Sequence, residues 1–204
     1  MKKFVAFLLA LAFALPVVAG NPDKVKKGPV DYQGNPIPAN EVSLSYGYLT
    51  PIDFGMVLAD AFMVSFSLGY ASMDNIVFSG AVSAGYYRRV NKTFALGGLL
   101  AYEHFSYDTK NKEGEITSNT KMENFSLLPS AKIFWFERPH VSMYSRFSAG
   151  ATVLAANNGS DPEFGFMFHV SPIAIEAGGY STRGFLELGL GASGMISGGV
   201  KYRF

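Results

Sequence analysis

Met195-Ile-Ser-Gly-Gly-Val-Lys-Tyr-Arg-Phe204 alternates without a break. Ile196, Gly198, Val200, Tyr202 and Phe204 fall on one face, and Ser197, Gly199, Lys201 and Arg203 on the other. Successive side chains of a strand point to opposite sides. One apolar face against one charged face suits a wall between lipid and a polar interior.

The same pattern recurs upstream and predicts eight strands. The first, Glu41 to Tyr48, sets Val42, Leu44, Tyr46 and Tyr48 against Glu41, Ser43, Ser45 and Gly47. Further strands are expected over Ile76–Val90, Thr93–Tyr107, Met122–Phe136, Val141–Ala155, Phe164–Glu176 and Gly184–Gly191, before the closing decapeptide. Each puts Leu, Val, Ile and Phe on one side and Ser, Lys, Arg and Glu on the other. Pro172 cannot donate to a ladder, so a bulge is expected there, turning Ile173 and Ile175 outward and Glu176 inward. The connections alternate, long after the first, third and fifth strands and short after the second and fourth, as in barrels with external loops and periplasmic turns. The last connection, Ala192-Ser-Gly194, should be external yet is very short.

A membrane wall offers the backbone no outside partners, so such a sheet must close. The expected fold is therefore an all-β, eight-stranded antiparallel transmembrane β-barrel. A soluble barrel of the lipocalin type would carry the apolar face inside. Here Lys and Glu share a face with Ser and Gly, opposite the aromatics.

Three segments precede or interrupt the barrel. Lys2-Lys3, the apolar run Phe4–Leu15 and the small residues before Gly20 read as a signal peptide over residues 1–20, cleaved after Ala19 or Gly20. Residues 21–40 carry four Pro and read as a periplasmic tail; residues 41–204 form the barrel domain. Thr50-Pro51-Ile52-Asp53 is a capping box, and predicts a short helix from Pro51 to about Met63 in the first external loop. Residues 62–71 alternate well enough for a strand. An even strand count argues for loop, or an early extension of the second strand. Asp108–Lys121 reads as a long polar loop.

The chain has no Cys, which excludes disulfide, thiol and lipoprotein chemistry. It has 17 basic and 16 acidic residues; losing Lys2 and Lys3 leaves 15 basic and a net charge of −1, which points away from nucleic acid. The face opposite the aromatics gathers Arg89, Glu103, Lys132, Tyr144, Arg146, His169, Glu176, Glu187 and Lys201. Eight strands enclose only enough room for side chains, so these residues are expected to form a packed interior polar network. No cofactor or metal motif is present. The exposed pair Asp161 and Glu163 is too sparse for a calcium site. His169-x-Ser171 is the single catalytic-looking pair, since a His can activate a neighbouring Ser.

The segments Ser79-Gly-Ala-Val-Ser-Ala-Gly-Tyr-Tyr87, Leu128-Pro-Ser-Ala-Lys-Ile-Phe-Trp135, Val170-Ser-Pro-Ile-Ala-Ile-Glu176 and Gly184-Phe-Leu-Glu-Leu-Gly-Leu-Gly191 resemble the small outer-membrane barrels common in the Bacteroidetes. The architecture is similar to that of the OmpA transmembrane domain, OmpX and OmpW. The resemblance implies an outer-membrane location with both termini periplasmic. It implies contact with outer-membrane lipid and lipopolysaccharide, and recognition of Tyr202 and Phe204 by the barrel-assembly machinery and periplasmic chaperones. It implies a structural or surface-interaction role, and names no external ligand. Two alternatives come with it: a narrow channel or small-ligand transporter, and a lipid A-modifying enzyme, because His169-x-Ser171 looks like the His-x-Ser pair of lipid A deacylases.

Overall fold

The computed structural model describes residues 37–51, 71–111, 116–157 and 161–204. Eight strands follow in order: β1 (Asn40–Tyr48), β2 (Ala71–Arg89), β3 (Phe94–Asn111), β4 (Ile116–Glu137), β5 (Val141–Ala156), β6 (Glu163–Gly178), β7 (Thr182–Gly191) and β8 (Ile196–Arg203). Each pairs antiparallel with the next, and β8 pairs with β1 to close the barrel. Closure is completed by reciprocal bonds of 2.9 Å between the main chains of Asn40 and Phe204. No sheet edge is left along the half of the wall where these strands meet.

The expected alternation is the one observed. Val42, Leu44, Leu96, Leu127, Phe147, Leu186, Leu188 and Val200 are exposed on the outer face. Lys132, Arg146, His169, Glu176 and Glu187 are buried inside. An apolar exterior around a charged interior inverts the usual soluble arrangement.

Short turns close one end. At Asn91 the side-chain oxygen accepts from the N–H groups of Thr93 and Phe94, both at 2.8 Å, so the β2–β3 turn supplies its own acceptor. Two bulges set the interior. At Pro172 the β6–β7 register shifts between Val170 and Ile173, and β5 shifts opposite it between Tyr144 and Arg146. The Ser145 hydroxyl bridges this gap by donating to the Pro172 carbonyl at 2.6 Å. Ser171 and Ala174, three residues apart, both point inward as a result. A second shift lies between Phe134 and Phe136 on β4. It brings both Phe134 and Glu137 inside, although their spacing is odd.

Two expectations need amendment, and two more fall outside the described residues. The long polar loop expected over Asp108–Lys121 is instead a hairpin: β3 runs to Asn111 and β4 starts at Ile116, with Ser106 opposite Lys121 and Asp108 opposite Asn119. Polar residues pair in a ladder as readily as apolar ones once neighbouring strands template them, and Asn119 donates to Asp108 at 2.5 Å across this one. The β7–β8 connection is not an external loop; it folds into the barrel. The helix expected from Pro51 to Met63 lies, beyond Pro51, outside the described residues; Pro51 itself has helical backbone. The 62–70 stretch also lies outside them, while β2 starts at Ala71.

Candidate functional site: the sealed lumen

The lumen is built in layers from the short turns upward. Arg89 on β2 grips Glu137 on β4 through two bonds of 2.8 and 3.0 Å, with its guanidinium 3.4 Å from the centre of the Phe134 ring. A fork on a carboxylate is the strongest geometry an ion pair offers. Arg183 on β7 donates to Glu176 at 2.9 Å, to the Ser142 hydroxyl at 2.6 Å and to the Pro139 carbonyl at 2.6 Å. Arg203 donates to the Tyr180 carbonyl at 2.6 Å and lies 3.8 Å from Glu176.

Above these, Lys132 pairs with Glu41, and Lys201 pairs with Glu176 while lying 3.5 Å from Glu41. The Lys132 ammonium also sits 3.8 Å above the Tyr87 ring. The four groups come from β1, β4, β6 and β8, so the layer ties strands that are not neighbours in the sheet.

The next layer centres on Glu187. Arg146 approaches it at 2.5 Å and the Tyr144 hydroxyl donates to it at 2.5 Å. His169 Nε2 faces it at 3.8 Å. His169 Nδ1 accepts from the Ser193 N–H at 3.2 Å, so the ring proton sits on Nε2, toward the carboxylate. Tyr87, Ser130 and Ser148 form a hydroxyl chain beside it, with links of 3.0 and 2.6 Å.

Ser193 belongs to the β7–β8 connection, residues 192–195. Its hydroxyl takes donors from Arg146 and Ser83, both at 3.2 Å. Ala192 packs with Leu99, Ala101 and Leu128, and Met167 covers them. The turn fits because Gly47 has no Cβ; one would stand 1.7 Å from the Ser193 carbonyl oxygen. Gly194 supplies the positive φ, 83°, that the tight reversal needs. Met195 N–H then bonds the carbonyls of Tyr48 and Leu49. The turn is a stopper across the middle of the barrel.

Beyond the stopper the lumen holds mostly neutral groups. Ser126 and Thr152 share a bond of 2.9 Å, and Thr152 also bonds Asn124. Glu103 accepts from Thr50 at 2.5 Å.

All nine residues expected inside are buried there. Eight of them, Arg89, Lys132, Tyr144, Arg146, His169, Glu176, Glu187 and Lys201, lie on the turn side of the stopper. Glu103 lies apart, beyond the apolar layer. Glu41, Glu137, Arg183, Arg203 and Ser193 complete the network, and of these Glu137, Arg183 and Ser193 were not placed inside from the sequence. Arg203 alternates in step with Lys201, a signal that was available. His169 and Ser171 share a face and are both fully buried. They do not bond each other: the Ser171 hydroxyl donates to the Leu188 carbonyl at 3.0 Å. Tyr202 and Phe204 lie outside, stacked with ring centres 6.0 Å apart. Asp161 and Glu163 are exposed. Among the described residues no group of three His, Asp or Glu is placed to hold a metal ion.

These features define the class: a closed eight-stranded β-barrel, apolar outside, its lumen filled by an ion-pair network and capped by its own last hairpin turn. No family model matches the chain, and no curated protein matches it.

Proposed function

We propose that this protein is an outer-membrane β-barrel with a packed polar interior, serving a structural or surface-interaction role. The single observation that carries the reading is the inside-out distribution of side chains. Large apolar residues stand exposed around the wall while the charges are buried and paired. Only a nonaqueous surrounding makes that arrangement favourable, since apolar burial is worth about 25 cal/mol per Å².

The dimensions agree. On β4 the outward apolar run goes from Phe125 to Trp135. Ten residues of strand tilted by about 40° rise about 25 Å, the height of an outer-membrane apolar band. In this reading the short turns and both termini are periplasmic. The β3–β4 hairpin extends from the Phe125 row to Ile116, about 30 Å along the strand, as the external face. Lipid and lipopolysaccharide bathe the wall, and Tyr202 and Phe204 serve the assembly machinery.

Two features favour this role over the alternatives. The lumen on the turn side of the stopper is filled by buried, paired side chains, which disfavours a channel. His169 and Ser171 point away from the lipid-facing wall and bond to other groups, which disfavours a lipid A-modifying enzyme. Purified protein in a planar bilayer should show no unitary conductance, and steady openings would overturn the packed-interior reading. Lipid A mass spectra should be the same from cells lacking the protein, cells expressing it and cells expressing His169→Ala. An acyl-chain mass change that requires His169 would make it an enzyme.

A further inference from the structure

Four side-chain atoms of the Glu187 layer are enclosed yet have no hydrogen-bond partner in the protein: Arg146 Nε, His169 Nε2, Glu187 Oε2 and Ser197 Oγ. They come from β5, β6, β7 and β8 in turn. Their residues are exposed by 2% or less. Among the described residues no other buried side-chain nitrogen or oxygen lacks a partner. The deficit is therefore concentrated in one place, inside a lumen that is otherwise fully bonded.

Glu187 is the common neighbour of the other three. His169 Nε2 stands 3.8 Å from Oε2, too far for a hydrogen bond. Arg146 Nη2 lies 2.5 Å from Oε2, an ion-pair contact without the alignment of a hydrogen bond, and Nε is another arm of the same planar fork. Ser197 is the residue directly opposite Glu187 in the β7–β8 ladder, and it is buried on the same inner face. Side chains directly opposite in an antiparallel pair lie about 5 Å apart at Cβ. The remaining atoms of these groups are already engaged: Oε1 accepts from Tyr144, and His169 Nδ1 accepts from the Ser193 N–H.

Buried polar atoms without partners are rare, and buried water commonly supplies the missing bonds. The chemistry of these four atoms names such an occupant. Arg146 Nε and His169 Nε2 each carry a proton and can only donate, Oε2 can only accept, and the Ser197 hydroxyl does either. The complement must accept two bonds, donate one and supply a fourth of either kind. Water does this with its two lone pairs and two protons. An ion does not fit. The charges of Arg146 and Glu187 cancel, and a His169 ring that accepts at Nδ1 is neutral. An anion would face Oε2, and a cation would face two N–H groups. One oxygen standing beside the line from Nε2 to Oε2 reaches both at about 2.9 Å.

We infer that a single water molecule is built into the lumen at Glu187, bridging His169 Nε2 to Glu187 Oε2 and completed by Arg146 Nε and Ser197 Oγ. The stopper is then tied to the carboxylate through the Ser193 N–H, the imidazole and the water, with no direct bond between His169 and Glu187. The inference is independent of what surrounds the outer wall.

The test is a crystal structure of the purified wild-type protein at a resolution that shows ordered water, with a second data set from crystals soaked in sodium bromide. The expected result is one density peak within hydrogen-bond distance of His169 Nε2, Glu187 Oε2 and at least one of Arg146 Nε and Ser197 Oγ, with no anomalous signal after the soak. An anomalous bromide peak at that position would make it an anion site and overturn the inference. So would a site without a peak, whether the imidazole has closed onto the carboxylate to about 2.8 Å or the two groups stay apart.

Discussion

Toward the short turns the lumen holds Arg89, Lys132, Arg146, Arg183, Lys201 and Arg203 against Glu41, Glu137, Glu176 and Glu187. Toward the long connections it holds Ser126, Thr152, Asn124 and the Thr50–Glu103 pair, beyond Leu99 and Leu128. The stopper at residues 192–195 divides the two. In the lower half each charge is buried and tied to strands across the barrel, so the arrangement is all-or-none. In the upper half the partners are mostly neutral and, apart from Thr50–Glu103, the bonds join neighbouring strands. The difference shows where the fold's specificity is concentrated: a slip of register below the stopper strands buried charges, whereas a slip above it costs single hydrogen bonds.

The most severe challenge to that contrast is Glu187→Ala. It leaves Arg146 buried without its carboxylate and is expected to cost about 3–5 kcal/mol. Equilibrium urea unfolding in micelles measures it. The pair Arg146→Met with Glu187→Leu should recover most of the loss, because two apolar groups need no partner. A loss below about 1 kcal/mol for Glu187→Ala would mean that the lower network is redundant.

Gly47→Ala probes the boundary itself. The new Cβ would meet the Ser193 carbonyl oxygen at 1.7 Å, a backbone atom that cannot swing aside. A cost of about 2–3 kcal/mol is expected, with faster amide exchange at Ser193 and Met195. Gly98→Ala is the control, since its Cβ would meet nothing nearer than the Leu128 oxygen at 3.8 Å. It should leave exchange at the stopper unchanged.

Glu103→Gln is the smallest change and the sharpest. The amide keeps an oxygen that can accept from Thr50, so the expected cost is about 1 kcal/mol or less. Glu187→Gln, the same chemical change below the stopper, should cost clearly more. Equal losses from these two variants in the same urea experiment would remove the distinction between the halves.

The legible parts of the site are those that obey the period of two. Lys132, Arg146, Glu187 and Lys201 sit inside regular alternation, and their side of the wall follows from spacing alone. The Pro172 bulge was also legible, because proline has no N–H to place in a ladder. Glu137 was not. The shift between Phe134 and Phe136 reverses its face, and no residue type in Phe134-Trp-Phe-Glu137 announces a bulge. Arg183 was hidden for a related reason: it lies where strand passes into turn, and whether alternation continues there depends on the partner strand. The Asp108–Lys121 stretch misled because polar composition separates a surface from a core, not a hairpin from a loop.

By itself, then, the sequence determined a closed eight-stranded barrel with charges on one side of its wall and apolar side chains on the other. Local physics suffices for that: strand periodicity, turn chemistry and the obligation of every main-chain group to find a partner. Only the tertiary structure decided which Arg meets which Glu, that Glu103 stands apart from the rest, and that Ala192-Ser-Gly194 turns inward to seal the lumen. Those outcomes depend on register between strands remote in sequence, and on space left by a glycine on another strand, Gly47, which no local pattern encodes.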